Sequence, residues 1–225
     1  MKIRDALCAG VLAATVVSGG ASASVTYSWD DGAGNVRLGP VFAAEYMWGN
    51  VYTARPGGEW ITSISVSFGA IPADQALTVY LYQDTTPGDN DPRGSVLLAS
   101  ATGVTPTSPP LNSFWTYSIA PTQVTGDFFV AVSTRVRGRL PNNTTPDTPA
   151  RLDPQGAPNA AKSWVFAADS FLNPATSLAN APYSLQMSQN AIQGVFMVRA
   201  NAIPTPAAGA LLGLAGLAAL RRRRA

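Results

Sequence analysis

The stretch ITSISVSFG, Ile61 to Gly69, followed by LTVYLYQD, Leu77 to Asp84, decides the fold class. Ile64, Val66 and Phe68 alternate with Ser63, Ser65 and Ser67, and Leu77, Val79 and Leu81 alternate with Thr78, Tyr80 and Tyr82. A period of two puts the apolar side chains of each run on one face, the pattern of a strand with one buried side. Similar short runs recur at Val25 to Trp29, Val51 to Ala54, Val96 to Ala99, Phe114 to Ile119, Phe128 to Arg137, Ser163 to Ala167 and Gly194 to Arg199. Turns rich in Pro, Gly, Asn and Asp separate them, and no long internal segment carries helical periodicity. The pattern predicts an all-β body, a two-sheet antiparallel sandwich with jelly-roll connectivity. Gly103 to Asn112 and Pro141 to Ala160 read as long, proline-rich polar loops, the kind of segment in which function concentrates.

Both ends of the chain read as targeting segments. Lys2 and Arg4 form a basic start, Ala6 to Gly20 an apolar stretch, and Ala21-Ser22-Ala23 a small-x-small cleavage site, so residues 1–23 read as a signal peptide and the exported chain begins at Ser24. Cys8, the only cysteine, falls in the segment to be removed, which leaves the body without disulfides. At the other end Pro204, Thr205 and Pro206 break the chain, Ala207 to Leu220 are uninterruptedly apolar, and Arg221, Arg222, Arg223 and Arg224 close it. As a helix, residues 207–220 rise roughly 21 Å at about 1.5 Å per residue, marginal against a hydrocarbon core of roughly 30 Å. The four arginines orient such a segment with its C-terminus in the cytoplasm.

This tail, residues 202–225 including AAGALLGLAGLAAL and RRRR, resembles the PEP-CTERM sorting signal, with Thr205 where that family usually carries Glu. The resemblance implies processing by a bacterial exosortase-like enzyme and an exopolysaccharide-producing cell envelope as the setting. A simple single-span anchor is the other reading of the same residues. The body, residues 24–201, is also similar to a loosely defined group of secreted bacterial modules that carry this tail and have no settled activity.

Composition narrows the chemistry. The full chain has 15 basic and 13 acidic side chains, net +2; without Lys2, Arg4, Asp5 and Arg221 to Arg224 the count is 9 and 12, net −3. Nothing in a mildly acidic body argues for nucleic acid. The exported chain has no His, no Cys and only Lys162, which excludes Ser-His-Asp and Cys-His catalysis and histidine-ligated zinc. A glycan-active enzyme using two carboxylates is the surviving catalytic class, with Asp30, Asp31, Glu45, Glu59, Asp127 and Asp169 as the available acids.

Three groups of residues suggest binding. Asp84, Asp89, Asn90 and Asp91 offer hard oxygen donors on one loop, a candidate Ca²⁺ site or a solvated turn. Arg135, Arg137 and Arg139 share a face at period two, either a stripe for acidic polysaccharide or charges that guard an edge strand. Tyr80 and Tyr82 share the face opposite Leu77, Val79 and Leu81, where they stack on sugar rings if exposed and join the core if covered. Trp60, Trp115, Tyr117, Ile119 and Trp164 read as interior.

The sequence thus reads as an exported surface or matrix protein with a binding or structural role and no required cofactor. Its expected partners are the Sec translocon, signal peptidase, an exosortase-like enzyme, the inner membrane in transit, and extracellular polysaccharide. The native product is expected to start at Ser24 and to lack most residues after Pro206. Intact-mass measurement of cell and medium fractions checks this; four arginines still attached would make the tail a plain anchor.

Overall fold

The computed structural model describes residues 24–107, 110–138, 146–168 and 178–204. The signal peptide, the tail helix 207–220 and the arginine cluster lie outside the described residues. Those described are predominantly β, and every strand pairing is antiparallel. Strands are numbered along the chain. The largest sheet has β3 (Ala44–Thr53) and β9 (Asp127–Val136) at its centre; β6 (Ala76–Gln83) and β7 (Val96–Val104) continue it one way, β11 (Ser163–Ala168) and β12 (Tyr183–Gln186) the other.

Two smaller sheets supply the other side of the core. One runs β1 (Val25–Tyr27), β14 (Val198–Ile203), β4 (Trp60–Val66), β8 (Trp115–Gln123); the other runs β13 (Val195–Phe196), β10 (Thr148–Asp153), β2 (Val36–Leu38), with β5 (Phe68–Ala70) also paired to β10. The expected two sheets are therefore three, because the chain changes sheet twice at one level. The apparently continuous run 61–68 breaks at Ser67 between β4 and β5, and β13 and β14 are separated by Met197. At this seam Ser67 donates to the Met197 carbonyl (2.9 Å) and Met197 to that of Arg151 (3.0 Å).

The main core is formed by Tyr46, Trp48, Tyr52, Leu77, Val79, Leu81, Phe128, Val130 and Val132 of the large sheet, with Ile61, Ile64, Val66, Phe68, Leu152, Phe196 and Val198 from the smaller ones. A second cluster covers the opposite face of the large sheet: Met47, Val51, Tyr80, Tyr82, Phe129, Trp164, Phe166 and Leu178. With both faces covered, β3 and β9 have no polar side to show, so DFFVAV reads as a run of apolar residues rather than an alternation.

A buried polar bracket joins the layers at the seam. Asn50, with no exposed surface, donates from Nδ2 to the carbonyls of Phe196 (2.7 Å) and Val198 (3.0 Å), and its Oδ1 accepts from Ser163 (2.6 Å). The Tyr52 hydroxyl donates to Val198 as well (2.5 Å). These carbonyls lie where β13 gives way to β14, and backbone acceptors buried away from water must find partners.

The stretch expected to be a long loop, 141–160, contains β10, followed by a 3₁₀ segment Pro154–Lys162. Likewise β7 runs on to Val104, into the expected loop 103–112. Asn50→Leu is expected to cost about 2–4 kcal/mol, since it removes the side-chain donor to the Phe196 carbonyl and the acceptor of the Ser163 hydroxyl. Denaturant unfolding checks this, and an unchanged midpoint would mean that the bracket is dispensable.

Candidate functional site

A cavity of about 430 Å³ opens where the large sheet meets the turn between β2 and β3. Its floor follows from register: Tyr46 of β3, Ala167 of β11 and Tyr183 of β12 stand in one row across three strands. The small Ala167 side chain between two tyrosines leaves a gap. Val165 and Leu185 pair directly in the next row, and Pro40, Val41, Phe42 and Pro182 complete the wall. Phe42 is 64% exposed and Tyr183 49%. Burial pushes the Tyr46 hydroxyl above the ordinary tyrosine range, reinforced by nearby Tyr183, so it stays protonated. Among the described residues the lining carries no charged side chain. Apolar walls with a few hydroxyl and amide groups suit a small uncharged ring or chain.

The sequence reading missed this cavity. Its residues lie far apart in the chain and have no diagnostic spacing; the one available signal was the apolar run Pro40 to Ala44, which follows no strand alternation.

The acids of the loop after β6 take part in its own hydrogen bonds. Asp84 is only 4% exposed; its Oδ1 accepts from the Thr86 backbone (2.9 Å), while its Oδ2 is sealed in without a partner. Burial raises its pKa, neighbouring Asp89 and Asp127 add to the rise, and the bonds from Thr86 oppose it. Asp89 accepts from Asp91 N (2.8 Å), and Asp91 caps the 3₁₀ turn Pro92–Gly94 and pairs with Arg93 (2.5 Å), whose hydrogen bonds hold the Asp91 pKa low. Asn90 takes a left-handed backbone (φ 59°), and its carbonyl accepts from Trp164 Nε1 (2.7 Å). The Arg93 guanidinium lies 5.4 Å from the centre of the Trp164 ring. Each acid thus shapes or pins a loop that roofs the second cluster. Among the described residues no group of three or more His, Cys, Asp or Glu is arranged to hold a metal ion.

Of the arginine stripe, Arg135 and Arg137 are both exposed. Arg135 is exposed on β9, but β9 is central, so no edge needs guarding. Arg137 is bound to Asp147 through its side chain (2.9 Å) and its backbone N–H (2.7 Å). Arg139 lies outside the described residues. Tyr80 and Tyr82 present no ring to a sugar, because both are buried under the loops that cover the second cluster; Tyr80 instead shares a hydrogen bond with Ser133 (3.3 Å), which donates to Glu45 (2.6 Å).

The remaining acids are occupied too. Asp30 pairs with Arg199, Asp31 accepts from Ala33 N, Glu59 from Gly57 N, and Asp127 from Thr53 and Gly88. None of these lines the cavity, and Asp169 lies outside the described residues. Of the sorting and cleavage residues, Ser24 is exposed just before β1 and Pro204 follows β14; Ala21, Ala23, Thr205, Pro206 and Arg221 to Arg224 lie outside the described residues. Among the described residues no helix is long and apolar enough to cross a membrane. Comparison with protein-family models, curated proteins and solved structures yields no match for this chain.

The raised Asp84 pKa has a definite sign. The folded state holds the proton more tightly than the unfolded chain, so stability falls as pH rises from the ordinary carboxylate range through the raised value. Asp84→Asn is expected to raise the melting temperature at about pH 7 and to lose that advantage near about pH 3, below the ordinary Asp pKa. Melting curves with and without calcium check it. A calcium-induced rise in the wild type that the variant lacks would make Asp84 a cation ligand instead.

Proposed function

We propose that this chain is an exported binding protein of the cell surface or extracellular matrix, non-enzymatic, whose cavity seats an uncharged ring of an extracellular glycan. The observation that carries the reading is the pair of exposed rings at the cavity, Phe42 and Tyr183, over a floor in which the small Ala167 lies between Tyr183 and buried Tyr46. Aromatic faces stack on the C–H faces of sugar rings while hydroxyls take up their hydrogen bonds. A lining without carboxylates among the described residues favours binding over hydrolysis, which needs two acids across the bond.

The signal-like start and the PEP-CTERM-like tail support export, transient anchoring with the C-terminus in the cytoplasm, and handling by an exosortase-like enzyme. The order β11-β3-β9-β6 in the large sheet, with neighbours far apart in sequence, supports jelly-roll connectivity for the body.

Ala167→Phe fills the gap between the tyrosines. It is expected to weaken binding of a neutral oligosaccharide such as cellohexaose about tenfold or more, with little change in melting temperature. Calorimetric titration of both proteins checks this; a wild type indifferent to neutral oligosaccharides would overturn the reading of the cavity.

A further inference from the structure

Arg151 is the least ordinary charge in the body. It is 3% exposed and yet takes no part in the described ion pairs, which are Arg93 with Asp91, Arg137 with Asp147 and Arg199 with Asp30. Neutral groups hold it instead: Nε donates to the Phe68 carbonyl (2.9 Å), and Nη1 to the Gly34 carbonyl (2.9 Å) and to Asn112 Oδ1 (3.4 Å). Nη2 has no hydrogen-bond partner among the described residues, and it is not one of the sealed unpartnered atoms, so solvent reaches it. A buried guanidinium stays protonated and costs several kcal/mol when nothing of opposite charge stands by.

A like charge on the neighbouring strand makes this worse. Arg37 of β2 is the register partner of Arg151 on β10, and like charges directly opposite each other destabilise a sheet. Burial and Arg37 together push the Arg151 pKa down. Both arginines are on the face away from the main core, since Val36, Leu38, Ala150 and Leu152 pack inward.

Two glycines make room for them. A Cβ on Gly34 would come within 2.9 Å of Arg151 Cγ, and one on Gly69 within 3.3 Å of Arg37 Cγ. The Arg151 stem lies across Gly34 in the segment before β2, and the Arg37 stem lies across Gly69 in β5. The pair is therefore closely packed at its base, with its charge uncompensated at its tip.

We propose that Arg37 and Arg151 form an oxyanion site that takes the carboxylate of an acidic glycan, the Arg151 Nη2 and the Arg37 guanidinium closing on it from two strands. The Arg37 guanidinium has the fork that matches a planar carboxylate, Arg151 adds the N–H groups of Nη2 alone, and an anion between the two cations turns their repulsion into attraction. The site moves the acidic-polysaccharide reading from the Arg135 stripe to the opposite layer. It rests on the reading of the protein as a glycan binder for the source of the anion; the anion site itself does not.

Calorimetric titration at low ionic strength with oligogalacturonate, with inorganic sulfate and with cellohexaose tests the proposal. The wild type is expected to bind oligogalacturonate with an affinity that falls as salt is added. Arg37→Ala is expected to weaken that binding about tenfold or more without lowering the melting temperature, because Arg37 is exposed and its charge opposes that of Arg151. Arg151→Lys keeps the charge without the Nη2 donor and is expected to weaken it as well. Ala167→Phe is expected to retain oligogalacturonate while losing cellohexaose, so failure of the cavity reading and failure of this one are separable. Sulfate bound without oligogalacturonate, and lost in Arg37→Ala, would overturn the glycan as source. Affinity for oligogalacturonate unchanged in Arg37→Ala, or no binding of either anion, would overturn the site.

Discussion

Asn50 makes the architecture tenable. The layer facing the large sheet is divided because the chain crosses between its two small sheets at Ser67 and again at Met197. Each crossing interrupts a ladder and turns backbone groups toward the interior. One amide side chain from the centre of the large sheet, with the Tyr52 hydroxyl beside it, receives two of those carbonyls. Ser163 on the adjacent β11 then fixes the amide by donating to its oxygen and accepts from Phe196 N (3.3 Å). Two strands of the large sheet, β3 and β11, and the crossing from β13 to β14 thus depend on a polar group that a purely apolar core would have to exclude.

A body without disulfides draws its stability from burial, and here burial works on both faces of the large sheet. The inner face packs against the two small sheets; the outer face is roofed by the Asp84 to Gly94 loop and Leu178, with Trp164 as the common contact. The roof explains the acids on that loop. Side-chain carboxylates set its turns, as Asp89 and Asp91 do by accepting backbone N–H groups, and Arg93 is held over the Trp164 ring. The cost is the unpartnered Asp84 Oδ2, placed where Asp89 and Asp127 both oppose its ionisation.

Much of this was legible in the residues, and the gaps have physical causes. Leu77, Val79 and Leu81 line the main core as their alternation implies, because a strand covered by a sheet on one side keeps period two. The same alternation cannot say whether the opposite face is also covered, and for Tyr80 and Tyr82 it is. β10 was hidden because TPARLD contains a proline and two buried charged residues, Arg151 and Asp153, and β2 because it is three residues long. β3 was seen only from Val51 onward, since Gly49, Asn50 and Glu45 break a pattern that a doubly buried strand does not follow. The cavity and the Arg37–Arg151 pair depend on register between distant segments, which no local spacing encodes.

The first and last strands of the body are neighbours: Val25 pairs with Ala202 and Tyr27 with Ala200. β1 is an edge strand, whereas β14 is bonded on both sides, by β1 and by β4. The two ends of the domain therefore differ as mechanical handles. Force applied beyond Ile203 acts along a strand held by two ladders, and moving it means sliding past both neighbours at once. Force applied ahead of Val25 peels a three-residue edge strand one bond at a time. Pulled from its C-terminal side, the domain hangs from its stronger end, where two ladders share the load.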